Sequence, residues 1–165
     1  MGFTRHNAEK TVELDVPGSA FWDVLADWGA LMDWIPKLDE NPLVPITDCK
    51  LLPGHNADSL PCIRRVHLRG AEGQDSHLDE VLLHIDHETR RLYYNFDGVG
   101  PGGVRNYHAT TYVDRLDGNR CRVTCASQFD LDADAELDMK AFIESFYESG
   151  IINAIAKLIV RRSNG

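Results

Sequence analysis

The sequence predicts an α+β protein in which one curved antiparallel sheet wraps around a long C-terminal helix. Three observations support this fold class. Six strand-like segments follow one another in the middle of the chain, after one earlier strand and two short helical segments. Their connections are short, which favours antiparallel pairing. Residues 134–162 have the apolar spacing of a helix, and a length of 165 residues indicates a single domain, 1–165.

The N-terminal region has a strand signal followed by helix signals. A strand is predicted at residues 11–16, where apolar and polar residues alternate. A Pro-Gly-Ser break then opens a short amphipathic helix that ends at Gly29. One further turn at residues 31–35 stops at Pro36. The stretch DWGALMDWIP therefore places two indoles beside a turn, and residues at this spacing are typical of a core.

The remaining elements are six strands and the long helix. We predict the strands at residues 43–49, 62–69, 76–86, 91–97, 106–115 and 121–129. The helix has either Asp132 or Asp134 as its N-cap, with Glu136 near its positive end. Its apolar stripe consists of Leu137, Ala141, Phe142, Phe146, Ile152, Ile155 and Ile159. One helix cannot fill the concavity of such a bent sheet, so the arrangement predicts an internal space.

Charge and composition limit the partners. The formal net charge is −9, which disfavours nucleic acid and anionic membrane surfaces and favours a neutral or apolar ligand. The apolar stretch at residues 150–160 is too short to span a bilayer. Residues 1–10 do not resemble a signal peptide. We therefore expect the four cysteines to be free thiols in a cytoplasmic protein.

Three segments resemble a known superfamily. These are VELDVPGSAFWDVLADWGALMDWIP at residues 12–36, EVLLHID followed by RRLYY within residues 80–94, and RNYHATTYVD at residues 105–114. All three resemble the START/Bet v 1-like superfamily, also called the polyketide cyclase/dehydrase and lipid transport group, and its plant abscisic-acid receptors. The resemblance implies a helix-grip fold with a seven-stranded curved antiparallel sheet, two short supporting helices and a hydrophobic cavity. These motifs are shared by binders and enzymes.

The resemblance also implies which face of each strand points into the cavity. The candidate ligand-binding residues are Trp34, Val66, Leu82, Tyr94, Phe96, Thr111, Ser127, Phe129 and Phe146. Trp34 has two interpretations, a core wedge or a residue that stacks on a ligand at the cavity mouth. The fourth strand also has two possible inward faces, because Val81, Leu83 and Ile85 form an apolar stripe as good as the one through Glu80. The resemblance favours Glu80 inward, which makes the outward stripe a candidate homodimer contact.

Four polar residues are candidates for catalysis. Arg64 and Glu80 project into an apolar space from neighbouring strands, so we expect them either to pair with each other or to bind a polar ligand group. The Tyr107 hydroxyl is suited to donate a hydrogen bond to a carbonyl or enolate oxygen. His84 is either a general base or a solvated strand end. No recognised metal-ligand spacing occurs, and neither a metal nor a cofactor is expected.

Two loops flank the expected cavity mouth, at residues 52–60 and 98–103. In the receptors the matching loops act as gate and latch, but the receptor gate motif is not visible in LLPGHNADSL. The sequence favours an enzyme that acts on an aromatic or polyketide-like molecule by acid/base chemistry, as a cyclase, dehydratase or lyase. The alternatives are a carrier or sensor of a small hydrophobic ligand, and a protein that acts through protein contacts.

Overall fold

The computed structural model describes residues 2–42, 44–70 and 72–165 and has the predicted fold, a helix-grip fold of the Bet v 1 type. The strands are β1 (Phe3–Leu14), β2 (Ile46–Leu51), β3 (Cys62–Arg69), β4 (Asp75–Asp86), β5 (Arg91–Val99), β6 (Arg105–Arg115) and β7 (Cys121–Asp132). Helix α1 spans Gly18–Ala26, and a single helical turn follows at Leu31–Asp33. The chain ends in α2 (Met139–Ser145), a π-helical segment (Phe146–Ile152) and α3 (Asn153–Ser163), which are continuous.

All seven strands form one antiparallel sheet in the order β1-β7-β6-β5-β4-β3-β2. The register places Arg64 opposite Glu80, Glu80 opposite Phe96, and Phe96 opposite Tyr107. Residues that are directly opposite share a face of the sheet. These four side chains therefore form one row across the concave face, which packs against the C-terminal helix.

Four strands differ from their predicted bounds by two or more residues: β5 and β7 run on to Val99 and Asp132, and β1 and β2 differ most. β1 begins at Phe3, eight residues before the prediction, because its polar first half pairs along β7 as an edge strand. The hydrophobic pattern of a segment cannot reveal a strand that forms because it pairs with a neighbouring strand. β2 begins at Ile46, after Pro45, while Leu43, where the prediction began, lies outside the described residues.

The C-terminal helix begins later than predicted. It starts at Met139, and Asp138 caps it by accepting a hydrogen bond from the Ala141 backbone nitrogen at 3.0 Å. The predicted caps Asp132 and Asp134 are therefore wrong, since Asp132 is the last residue of β7. Leu137 precedes the helix and is 66% exposed, because the helix has not yet begun there.

The π-helical segment changes which residues the helix buries. Ile152, Ile155 and Ile159 are buried as predicted, whereas Ala141 is exposed. Tyr147, outside the predicted stripe, is buried instead. A π-helical turn contains more residues than the 3.6 of an α-helical turn. The buried face of the first half of the helix therefore does not continue along the same residue spacing into the second half. None of the helices described here is long and apolar enough to cross a membrane.

Candidate functional site

A cavity that is partly open to the surface lies between β2–β6, the adjoining loops and the first half of the C-terminal helix. Its lining consists of Pro45, Ile46, Val66, Leu68, Leu78, Glu80, Tyr94, Phe96, Pro101, Val104, Tyr107, Met139, Phe142, Ile143 and Phe146. The cavity volume is about 110 Å³. Pockets for drug-sized ligands have roughly 300–1,000 Å³, while a cavity of about 150 Å³ holds benzene. The cavity is therefore smaller than one that holds benzene, so a ligand of one ring or more would extend through its open side or move the lining.

Glu80 is the single charged residue in this lining among the residues described. Its side chain is 17% exposed and that of its partner Arg64 is 8% exposed. Arg64 Nε donates to Glu80 Oε2 at 2.7 Å, and Arg64 Nη2 forms an ion pair with the same oxygen at 2.6 Å. No hydrogen bond to Glu80 Oε1 is found within the described parts of the chain. One carboxylate oxygen is thus held by the guanidinium, and the other has no hydrogen-bond partner among the described residues.

Arg64 is engaged on its other side as well. Its Nη1 donates to the Trp28 carbonyl oxygen at 3.1 Å, and its guanidinium carbon lies 3.5 Å from the centroid of the Trp28 ring. Arg64 is not part of the cavity lining. It therefore acts on the site through Glu80, and its position ties the carboxylate to the end of the first helical region.

Three tyrosine hydroxyls form a row beside the cavity. The Tyr107 hydroxyl lies 2.5 Å from that of Tyr147 and 3.4 Å from that of Tyr94. Burial raises the pKa of all three phenols. They therefore keep their protons at neutral pH and serve as hydrogen-bond donors rather than as bases. Phe96 stacks on Tyr107 with ring centroids 4.7 Å apart.

The structure places the predicted ligand-binding residues in two groups. Val66, Tyr94, Phe96 and Phe146 line the cavity. The others are buried without bordering it, and they are Trp34, Leu82, Thr111, Ser127 and Phe129. Like Trp28, the Trp34 indole is a core residue, which agrees with the core-wedge interpretation and not with a place at the cavity mouth.

His84 does not border the cavity, and its predicted position there is wrong. A β-bulge lies between Leu82 and His84 in the pairing with β5. It turns His84 to the outer face, where the side chain is exposed and contacts the Tyr93 ring. The same bulge turns Ile85 inward against the core. The predicted outward stripe of Val81, Leu83 and Ile85 is therefore interrupted, and the homodimer stays a prediction.

Only one of the two predicted loops borders the cavity. Pro101 lines it, within the turn Pro101–Gly103. Gly102 has φ +68°, and a Cβ there would lie 2.2 Å from Met139 Sδ, so this turn requires glycine. No residue of the 52–60 loop is part of the lining. His55 in that loop instead accepts a hydrogen bond from the Ile63 backbone nitrogen at 3.2 Å.

Several residues of the site were missed by sequence reasoning. Tyr147 is the most important, and its signal was an alternative helical face in which it lies four residues from both Ile143 and Ile151. Met139 and Pro45 also line the cavity. No group of three or more His, Cys, Asp or Glu side chains positioned for a metal ion occurs in residues 2–42, 44–70 and 72–165.

The curved sheet, the long helix and the apolar cavity define a protein of the START/Bet v 1-like class. The chain belongs to the polyketide cyclase/dehydrase and lipid transport family, whose profile matches residues 5–158. No curated protein matches the chain by sequence.

Solved structures share the fold at low sequence identity. One is a norcoclaurine synthase point mutant from Thalictrum flavum in complex with a transition-state analogue, with a TM-score of 0.73, 15% identity and coverage of 99% of both chains. Another is the Zhui aromatase/cyclase from Streptomyces sp. R1128, with a TM-score of 0.70, 19% identity, and coverage of 97% of this chain and 96% of the other. At these identities the similarity establishes the fold alone.

Proposed function

We propose that this protein is an enzyme that binds a small aromatic or polyketide-like molecule in the cavity and moves a proton on it. The observation that carries this proposal is that Glu80 lies in the wall of an otherwise uncharged cavity and that its Oε1 has no hydrogen-bond partner among the described residues. A carboxylate fixed at one oxygen and open at the other is arranged for general acid/base work. The reaction classes that need only this chemistry are cyclisation, dehydration and lyase-type cleavage.

Each polar residue has a separate role in this proposal. Glu80 takes a proton from the ligand and returns it to another atom. Arg64 is a positioning residue, because it contacts Glu80 Oε2 and not the cavity. Tyr94 and Tyr107 are protonated donors on the cavity wall, suited to stabilise an oxygen on which negative charge develops. His84 has no role.

A second function, the carriage or sensing of an apolar ligand without chemistry, is favoured by a different observation. Arg64 is satisfied by Glu80 and the Trp28 carbonyl, and the three phenols bond one another. A network satisfied within the protein is also what a purely structural arrangement needs. In this case the cavity would release its ligand unchanged.

A mass-spectrometric turnover assay distinguishes the two functions. Wild-type protein and Glu80→Gln are each incubated with phenolic, lignin-like and polyketide-like compounds, and product and bound compound are quantified together. The matched control is Asp79→Asn, which removes a carboxylate from the Arg65–Asp79 pair on the outer face of the same two strands. Product from wild type and the control, lost in Glu80→Gln, supports the enzyme. Compounds that bind and are released unchanged by all three proteins support the carrier.

A further inference from the structure

We propose that a groove on the outer face of the sheet binds an uncharged saccharide. The groove crosses β1, β7, β6 and β5, and it is lined by residues 7–9, 126–128 and 108–110, by Tyr93 of β5 and by two residues of α2. It lies on the opposite side of the sheet from the cavity, and the two linings share none of the described residues. Binding in the groove is therefore separate from the chemistry proposed for the cavity.

The floor of the groove consists of main chain and small side chains. Strand side chains alternate between the two faces, so the middle residue of each three-residue segment points to the concave face and presents only its backbone here. Ala126 and Thr110 are opposite each other in the register. Glu9 of β1 and Tyr93 of β5 flank them. The result is an open groove of about 680 Å³, and sites for small molecules have roughly 300–1,000 Å³.

One wall of the groove is a row of uncharged polar side chains. Asn7, Gln128 and His108 are directly opposite one another on β1, β7 and β6, and all three are exposed. Within the described chain, none of them makes a hydrogen bond through its side chain. Each amide carries both an acceptor oxygen and two N–H donors, and a neutral imidazole carries one donor and one acceptor. The row therefore offers donors and acceptors that the protein itself does not use.

Neighbouring parts of the outer face are built differently. Arg65 of β3 pairs with Asp79 of β4 at 2.8 Å. Arg122 of β7 pairs with Glu13 of β1 at 2.7 Å. In these places the polar groups of adjacent strands satisfy one another, as cross-strand pairs commonly do. The amide row has the same cross-strand geometry without such internal partners, which suits a ligand that supplies hydrogen bonds from outside.

The charges around the groove disfavour an anionic ligand. They lie at its β1 end, where Lys140 forms an ion pair with Glu144. Glu144 Oε1 also accepts a hydrogen bond from the Glu9 backbone nitrogen at 3.2 Å. The Glu9 carboxylate has no ion-pair partner among the described residues, so this end carries an excess negative charge. Because the whole chain has a formal net charge of −9, a phosphate or carboxylate would be repelled, and a neutral ligand is favoured.

Tyr93 closes the β5 end of the groove with an aromatic ring. The residue is 43% exposed, and its ring contacts that of His84 with centroids 5.7 Å apart. The face of an aromatic ring carries partial negative charge, and the C–H groups on one face of a pyranose ring carry partial positive charge. A sugar ring can therefore pack on Tyr93 while its hydroxyl groups reach the amide row.

A saccharide uses all of these features, whereas an apolar ligand does not. Each sugar hydroxyl both donates and accepts, so two neighbouring hydroxyls can bond the oxygen and the nitrogen of one amide. Adjacent strands are about 4.8 Å apart, which places Asn7 and His108 one strand to either side of Gln128. An apolar molecule would cover the same amides without bonding them, which is unfavourable.

The first test is a ¹H–¹⁵N NMR titration of wild type with uncharged sugars. The probes are the methyl glycosides of glucose, galactose, mannose and xylose, together with maltose and cellobiose. We expect at least one of them to produce saturable shift changes in the three lining segments and in the side-chain amide of Gln128. Val66 and Phe146, which line the cavity, should keep their resonance positions. Where a hexose binds, the matching uronic acid should bind more weakly, because it adds a negative charge.

Substitutions at two positions test the groove residue by residue. Gln128→Leu should lower the affinity for the sugar by about 2–10-fold, the effect of one neutral hydrogen bond. Its matched control is Gln74→Leu, because Gln74 is the other glutamine of the chain and is exposed between β3 and β4; this variant should bind like wild type. Tyr93→Ala should lower the affinity by a similar factor, and Tyr93→Phe should keep it, because the ring makes the contact.

Three results would overturn the inference: no saturable shift change with any of the sugars, shift changes confined to the cavity residues, or equal affinities in Gln128→Leu and Gln74→Leu. Shifts of the groove residues that depend on protein concentration without sugar would also overturn it, since a second copy of the chain would then cover this face. The titration measures binding and not turnover, so its failure leaves the proposed enzyme function untouched, and failure of the turnover assay leaves the groove untouched.

Discussion

Removal of Arg64 should destabilise the protein far more than removal of its neighbour Arg65. Arg64→Met keeps a long apolar side chain but leaves Glu80 without its two contacts of 2.7 and 2.6 Å. It also leaves the Trp28 carbonyl oxygen without its donor. Arg65→Met breaks the ion pair with Asp79 on the opposite face of the same two strands. The two variants thus remove the same chemical group from two environments.

The expected magnitudes follow from burial. Arg64 and Glu80 side chains are 8% and 17% exposed, and removal of one partner of a buried pair costs about 3–5 kcal/mol. In a chain of this size the midpoint of thermal unfolding falls by about 2–4 °C per kcal/mol, so we expect a decrease of roughly 6–20 °C. Arg65 and Asp79 side chains are 38% and 34% exposed, and a solvent-screened pair of this kind contributes about 0–1 kcal/mol.

The assay is chemical denaturation of wild type, Arg64→Met, Glu80→Gln, the corresponding double variant and Arg65→Met. The double variant should lose less unfolding free energy than the sum of its two single variants, because neither charge is then left unpaired. Equal losses in Arg64→Met and Arg65→Met would refute the reasoning. So would strict additivity of the two changes at Arg64 and Glu80.

Three further predictions concern titratable groups. Absorbance titration should show the three buried phenols still protonated at about pH 10 in the folded protein, and all five tyrosines ionised only after unfolding. All four cysteines are buried, and burial raises the pKa of Cys49 to about 11 and of Cys125 to about 12; a thiol reagent should therefore react rapidly only in denaturant. Arg5 holds the pKa of Asp130 below its ordinary value. Asp130 therefore stabilises the fold fully at a pH above its ordinary pKa, and this stabilisation is lost as the pH falls through the lowered pKa. Asp130→Asn should flatten the acid limb of a melting-temperature profile, and an unchanged limb would contradict this.

The inward face of the central strands was predictable because strand side chains alternate with a period of two. On β3 that period places Arg64 between Cys62 and Val66, all three buried. On β5 and β6 the same rule places Tyr94 and Tyr107 on the concave face. The apolar neighbours of each polar residue determined its side of the sheet, so the main polar residues of the cavity could be anticipated from the sequence.

Features that depend on tertiary pairing were not predictable in this way. The position of His84 depends on a bulge against β5, and a shift of one residue moves a side chain to the other face. The position of Tyr147 depends on the π-helical segment. In this segment Gly150 packs so closely on Phe146 that a Cβ at position 150 would lie 2.8 Å from the Phe146 ring. Neither the bulge nor this close approach has a local sequence signal as strong as the periodicity that it interrupts.

Chemical rescue of Glu80→Ala tests most directly the claim that Glu80 moves a proton in the cavity. The compound turned over by wild type is supplied to the variant with and without formate. We predict a loss of about 10²–10⁴-fold, followed by partial recovery that saturates with formate, since the vacated space lies beside the Arg64 guanidinium. Full activity in Glu80→Ala, or no recovery with formate in a variant that still folds and binds the compound, would contradict the claim.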